Sequence, residues 1–235
     1  VIRQLAFDLP AQEAWRREDF FVSPANQVAL AALDGWRDWP QRKMVLIGPP
    51  GSGKTHLARL WAEETGARYL RAGDLAGLDL GELHPGEPDP AGLSAPAAVV
   101  VEEAEAVAGN PAAEEALFHL HNMVLPRGHL LLTARRPVRD WGLHLPDLKS
   151  RMEAAGVVRL EAPDDALLSA VLVKLFADRQ VMVAPALIPW MVARMERSLA
   201  AGRALVAALD ARALAEGKPI GRAMAAALLD RPEEE

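Results

Sequence analysis

The sequence predicts an α/β fold, a five-stranded parallel sheet layered between helices and followed by a small all-helical unit. Three observations carry this. Short apolar runs alternate with helix-periodic segments as far as Leu160, the pattern of successive βα units. A glycine-rich turn joins the first strand-like run to an amphipathic segment. After Leu160 the strand-like runs stop and only helical spacing continues.

Strands are expected at Met44–Ile47, Arg68–Arg71, Ala97–Val101, His129–Thr133 and Val157–Leu160. Between them the periodicity predicts helices near Ala25–Arg37, Thr55–Thr65, Ala112–Val124 and Leu145–Ala154. The stretch Ala76–Pro96 is rich in Gly, Pro and acidic residues and reads as a surface loop. Ala162-Pro-Asp-Asp165 resembles a loop and N-cap, after which Leu167, Leu168, Val171, Leu172, Leu175 and Phe176 recur at helical spacing. Further helices are expected over Pro185–Arg197, Leu199–Glu216 and Pro219–Leu229, with proline in the first turn of two of them. The organisation is thus an N-terminal segment over 1–16, a nucleotide-binding αβα domain over 17–160 and a helical lid over 161–235.

Composition narrows the function classes. The apolar share of 51% is carried by Ala, Leu and Val rather than aromatics, which suits an α/β or helical protein. No apolar run approaches the ~18–20 residues of a membrane span, and no signal-peptide pattern opens the chain. With zero cysteines there is no disulfide framework and no Cys-based zinc site. A soluble cytoplasmic protein without a membrane partner is the expectation. The net charge of −6 runs against a protein that grips DNA along its phosphates.

The chemistry starts at Gly48-Pro49-Pro50-Gly51-Ser52-Gly53-Lys54-Thr55, an unbroken match to the phosphate-binding pattern G-x-x-x-x-G-K-[ST]. Its glycines let backbone N–H groups converge on phosphate oxygens, and the helix that follows aims its positive end at the same anion. Lys54 would reach the β- and γ-phosphates, and the Thr55 hydroxyl would ligate magnesium. Such a loop needs an acidic partner at the end of a neighbouring buried strand. Ala98-Val-Val-Val-Glu-Glu103 supplies one, with Glu102 for magnesium and Glu103 for polarising the attacking water. On the strand ending Leu132-Thr-Ala-Arg135, either Thr133 or Arg135 could present a polar group to the γ-phosphate, or both could be loop residues. Arg151 ends a helix, where the dipole favours a cation, but an arginine there could also enter a neighbouring subunit's site. Arg197 could close over the phosphates from the lid or be an exposed helix arginine. The six histidines show no metal spacing; His119 and His121 face different ways on their helix. The tryptophans are scattered and read mostly as packing residues.

Taken together these motifs resemble the DnaA-type branch of the AAA+ ATPases, over about residues 17–230. Gly53-Lys-Thr-His-Leu57, with His56 after the threonine, is similar to that branch's phosphate loop. Glu18-Asp-Phe-Phe-Val-Ser-Pro-Ala-Asn26 resembles the segment that cups adenine, which implies roles for Phe21, Val22 and Asn26. Glu115–Asn122 resembles the helix after the acidic strand. Leu148-Lys-Ser-Arg-Met152 resembles the arginine-finger helix and Glu196-Arg-Ser-Leu199 the second sensor, which implies those roles for Arg151 and Arg197.

The resemblance implies ADP or ATP with Mg²⁺ as cofactors. The sequence ends at Glu235, where the initiator continues into a DNA-binding domain, so no sequence-specific DNA contact is expected. Arg3-Gln-Leu-Ala-Phe-Asp-Leu9 is similar to peptides that dock on the replication sliding clamp, Leu5, Phe7 and Leu9 filling apolar pockets while Gln4 hydrogen-bonds. The DnaA-related regulators that lack the DNA-binding domain therefore fit best, with the DnaA initiator and the clamp as partners. Whether the chain also dimerises through its Arg151 face stays open. Two departures bear on turnover: a glutamate pair stands at 102–103 where the branch usually has aspartates, and Ala134-Arg135 stands where its sensor usually includes an aspartate. Both predict slow intrinsic hydrolysis. An active helicase loader of the DnaC type would share the His56-bearing loop, but the short N-terminus and acidic balance disfavour it. A small-molecule phosphotransferase would need neither Arg151 nor the clamp-like peptide.

Overall fold

The computed structural model describes Arg17, residues 20–78 and residues 98–230; Gln4, Leu5, Phe7, Leu9 and most of the acidic loop lie outside these. Strands β1 (Lys43–Ile47), β2 (Arg68–Arg71), β3 (Ala98–Glu102), β4 (His129–Ala134) and β5 (Gly156–Arg159) form one parallel sheet in the order β2-β3-β4-β1-β5. Helices α1 (Gln27–Asp34), α2 (Lys54–Thr65), α3 (Pro111–Val124) and α4 (Pro146–Glu153) cover its faces, and α5 (Asp165–Asp178), α6 (Leu187–Val192), α7 (Leu199–Glu216) and α8 (Arg222–Leu229) follow.

The interior strand β1 is buried along its whole length, as a parallel sheet covered on both faces requires. Its alternation sorts two cores. Val45 and Ile47 pack with Leu117 and Leu120 of α3 and Leu148 and Met152 of α4. Met44 and Leu46 face Leu33 of α1 and Leu57 and Trp61 of α2. A third core belongs to α5–α8 alone, with Leu168, Leu172, Phe176, Met191, Val206 and Leu209 at its centre.

The differences from the sequence expectations have local causes. The expected helix over 25–37 closes at Asp34; the Gly35 N–H bonds back to Ala31, and a short 3₁₀ turn at Trp36–Asp38 turns Trp36 inward. Trp39 stacks on Trp61 at 5.2 Å and Trp36 meets His129 edge-on at 4.7 Å, so three tryptophans form one cluster rather than scattered packing sites. The expected helix over 185–197 ends at Val192. Ser198 takes an extended backbone and its hydroxyl accepts from the Ala201 N–H as the cap of α7, which begins at Leu199 as expected. Arg197 consequently sits in a loop. Residues 72–77, where the expected loop begins, form a 3₁₀ turn.

One buried carboxylate ties loops to the helical layer. Glu114 of α3 is 2% exposed and accepts from the backbone N–H groups of Gly109 (3.2 Å), His144 (2.9 Å) and Leu145 (2.7 Å). Burial opposes its charge, but the amides of Leu145, Gly109 and His144 outweigh burial and hold its pKa below the usual carboxylate value.

Candidate nucleotide-binding site

The Gly48 N–H donates to the Ala134 carbonyl at 3.1 Å, which fixes where the loop leaves β1 beside β4. Gly51 and Gly53 have φ of +69° and +104°, conformations an L side chain rarely adopts. Gly51 is glycine for a second reason: a Cβ there would lie 1.9 Å from the Ser198 hydroxyl oxygen. The lid meets the loop at this point, the Leu199 N–H donating to the Gly51 carbonyl at 2.8 Å.

Lys54 opens α2 and donates to the Gly48 and Pro49 carbonyls, each at 2.8 Å. An ammonium has three protons, so one remains for a ligand. Burial pushes its pKa below the ordinary lysine value, against the opposing pull of Glu105. Ser52 is 2% exposed and its hydroxyl has no hydrogen-bond partner among the described residues. A left-handed glycine loop, an orphaned hydroxyl and a spare ammonium proton together fit a phosphate. The Thr55 hydroxyl donates to a Glu102 carboxylate oxygen, so β3 and the loop are joined through two hard oxygen groups of the kind Mg²⁺ takes. Among the described residues no cluster of three His, Asp or Glu could hold a metal unaided, so an ion here would need phosphate oxygens as well.

Beyond Glu102 the chain turns sharply. Glu103 is left-handed at φ 54°, ψ 45°; its N–H donates to the Thr133 hydroxyl oxygen (3.0 Å) and its carboxylate accepts from Arg135 (3.0 Å). Glu105, which sequence reasoning missed, accepts the Arg135 N–H at 2.8 Å. Thr133 is the buried penultimate residue of β4, and Arg135 lies exposed just past the strand's end. Of the two residues offered as phosphate sensors, one therefore braces the Glu103 backbone and the other pairs with the Glu103 side chain.

The expected adenine segment lies against α2, the Phe20 ring 5.3 Å from His56. Asn26 is 2% exposed; its amide donates to the Phe21 carbonyl and accepts from the Ser23 N–H, both at 2.9 Å. It shapes the segment from behind, leaving Phe21 and Val22 as the exposed apolar pair, at 44% and 51%. The Ala25 carbonyl accepts from Glu161 at 3.3 Å, which ties this segment to the start of the lid. Arg197, offered as a cap on the phosphates, pairs instead with Asp165 of α5 at 2.6 Å and is exposed.

Arg151 is nowhere near this loop. It lies in the last turn of α4, its guanidinium 4.6 Å over the Phe118 ring and donating to Asn122 of α3. Its carbonyl accepts from the Lys43 ammonium at 2.5 Å. Lys43 opens β1 whereas the phosphate loop follows Ile47, so strand geometry separates the two places by about 15 Å. Lys43 is 1% exposed and also donates to His121 at 3.2 Å. Burial, with the Lys43 charge, pushes His121 down to about 4, so it is neutral at pH 7 and accepts through Nε2. That leaves the Nδ1 proton facing the Asn122 side-chain oxygen at 3.3 Å. A lysine opening an otherwise apolar strand was the sequence signal for this buried group.

A family model described as "ATPase family associated with various cellular activities (AAA)" matches residues 44–85, the segment that carries β1, the phosphate loop, α2 and β2. The fold is similar to domain III of the Thermotoga maritima replication initiation protein DnaA, with a TM-score of 0.76 at 18% identity over 94% of this chain and 98% of that one. AMPPCP-bound DnaA from Aquifex aeolicus matches with a TM-score of 0.64 at 17% identity over 83% of this chain and 64% of that one. The Thermotoga maritima RuvB Holliday junction branch migration motor matches with a TM-score of 0.59 at 19% identity over 86% and 64%. The architecture shared with these structures is a parallel αβα sandwich carrying a helical appendage. This chain spans a little under two thirds of the two longer chains.

Proposed function

We propose that this chain binds an adenine nucleotide, ADP or ATP, in the Gly48–Thr55 loop and regulates replication initiation in the manner of Hda, the regulatory inactivator of DnaA. With the sliding clamp it would promote hydrolysis of ATP bound to DnaA. One observation carries the nucleotide reading: the loop is assembled with an unspent Lys54 proton, an orphaned Ser52 hydroxyl and Thr55 already joined to Glu102. The match to AMPPCP-bound DnaA favours adenine as the base, and the exposed Phe21 and Val22 offer it an apolar face. Mg²⁺ held by Thr55 and Glu102 would supply charge to the phosphate oxygens.

The trans role rests on Arg151. It lies at the opposite edge of the sheet from its own loop, so its charge is available only to another molecule's phosphates. The clamp contact rests on the sequence of Gln4, Leu5, Phe7 and Leu9. The chain's own nucleotide then acts as a brace between sheet and lid, with slow turnover.

The test follows hydrolysis of ATP preloaded on DnaA in the presence of DNA-bound clamp. Wild-type protein should accelerate it, Leu5→Ala with Phe7→Ala should lose both clamp retention and acceleration, and Arg151→Ala should lose acceleration alone. Acceleration that survives Arg151→Ala removes the residue from this mechanism.

A further inference from the structure

The glutamate offered for water activation does not stand open. Glu103 is held at its backbone by the Thr133 hydroxyl and at its carboxylate by the Arg135 guanidinium, 3.0 Å in each case. Arg135 is itself anchored, its N–H donating to Glu105 at 2.8 Å. The backbone of Glu103 is left-handed, a conformation that L residues adopt at an energetic cost, and such positions persist where the surroundings enforce them. The exits of β3 and β4 are thus clamped together by four side chains. Glu103 and Arg135 both act electrostatically on the Lys54 ammonium, so the clamp borders the phosphate loop. The pair is nevertheless 60% and 57% exposed, a contact that can part without unpacking a core.

We infer that Arg135 restrains Glu103: the guanidinium occupies the carboxylate that would polarise water, and the two must separate before this chain hydrolyses its own nucleotide. The inference rests on the nucleotide reading above. In the hydrolytic step the water oxygen bonds to the γ-phosphorus and Glu103 accepts the water proton. The bond to the bridging oxygen breaks, and ADP leaves with that electron pair. A carboxylate oxygen held by the Arg135 guanidinium at 3.0 Å is not free to receive a hydrogen bond from the attacking water. Arg135 is a positioning residue here, not a catalytic one. The restraint gives slow turnover a cause in this chain's own residues, independent of the glutamate-for-aspartate change at 102–103.

The test is steady-state ATP turnover with Mg²⁺ for wild type, Arg135→Gln, Glu103→Gln and the double variant, with ADP affinity by calorimetry. Arg135→Gln should raise kcat about threefold to fivefold, the factor set by an exposed ion pair of up to about 1 kcal/mol, with KM within about twofold. Glu103→Gln should fall to background, and the double variant should stay there. An unchanged or lowered kcat in Arg135→Gln overturns the restraint, as does a gain that persists in the double variant. Wild-type protein that gives no heat with ADP or ATP overturns the nucleotide reading instead, so the two failures are separable.

Discussion

The two edges of the sheet handle charge in opposite ways. At the C-terminal edge, where β1, β3 and β4 end, Glu102, Glu103 and Glu105 surround Lys54 and Arg135, and each of these carboxylates accepts a hydrogen bond. At the N-terminal edge Lys43, His121 and Arg151 gather with no carboxylate among the described residues within ion-pair distance of Lys43 or Arg151. Their protons go to a carbonyl, a neutral imidazole and the Asn122 amide. The first arrangement leaves one lysine proton and one serine hydroxyl for an incoming anion. The second keeps a cation on an aromatic ring without neutralising it. On the proposed reading one edge receives phosphate, while the other retains positive charge.

The sharpest way to break that contrast is to remove the receiving charge. Lys54→Ala should weaken ADP binding by roughly 30-fold or more, because truncating one partner of a buried charged contact costs about 2–5 kcal/mol. Its thermal stability should change far less, since Lys54 is only partly buried and one of the two carbonyls it releases, that of Pro49, is exposed. Calorimetry beside a melting curve checks both. Affinity that survives Lys54→Ala would mean the C-terminal edge does not receive phosphate through this lysine.

The acidic side can be tested away from the loop. Glu114→Gln should destabilise the protein by about 2–3 kcal/mol in urea unfolding, because an amide –NH₂ would face at least one of three buried backbone donors. The sign with pH follows from the depressed pKa. The folded carboxyl binds its proton less readily than the unfolded one, so its contribution is complete above the unfolded value and is lost as pH falls through the folded one. The variant should therefore lose less stability on acidification than wild type does.

What the sequence made legible and what it hid divide along the same lines. The phosphate loop, the strand before it and Glu102–Glu103 are local, because spacing and apolar runs encode them directly. All five strands stand within about a residue or two of their expected bounds for that reason. The early end of the 185–197 helix was hidden: it stops at Val192, while the apolar pattern runs on to the buried Met195 and argues for continuation. Glu105 and Lys43 were passed over because each is defined by partners about 30 or more residues distant, Arg135 for the one and His121 and Arg151 for the other. Asn26 was legible as part of the segment expected to cup adenine, but its two bonds to Phe21 and Ser23, which hold that segment from behind, are visible only in three dimensions.

The basic edge carries the smallest expected effect. His121 titrates near 4 when folded and near the ordinary histidine value of about 6.5 when unfolded, so between those values the unfolded chain binds more protons. Stability must then fall as pH drops through that window, and a single group with this shift gives about 2 kcal/mol between neutral pH and about pH 4.5. The charges facing the ring are the Lys43 ammonium and the Arg151 guanidinium. His121→Gln keeps an acceptor for Lys43 but cannot titrate, so urea midpoints at the two pH values should draw together by about that amount, above the background that carboxylates such as Glu114 contribute to both proteins. If the gap between the two pH values is the same in variant and wild type, the folded imidazole takes up its proton as readily as the unfolded one. Lys43 would then face a second cation, and the N-terminal edge would need a counter-charge that the described residues do not supply.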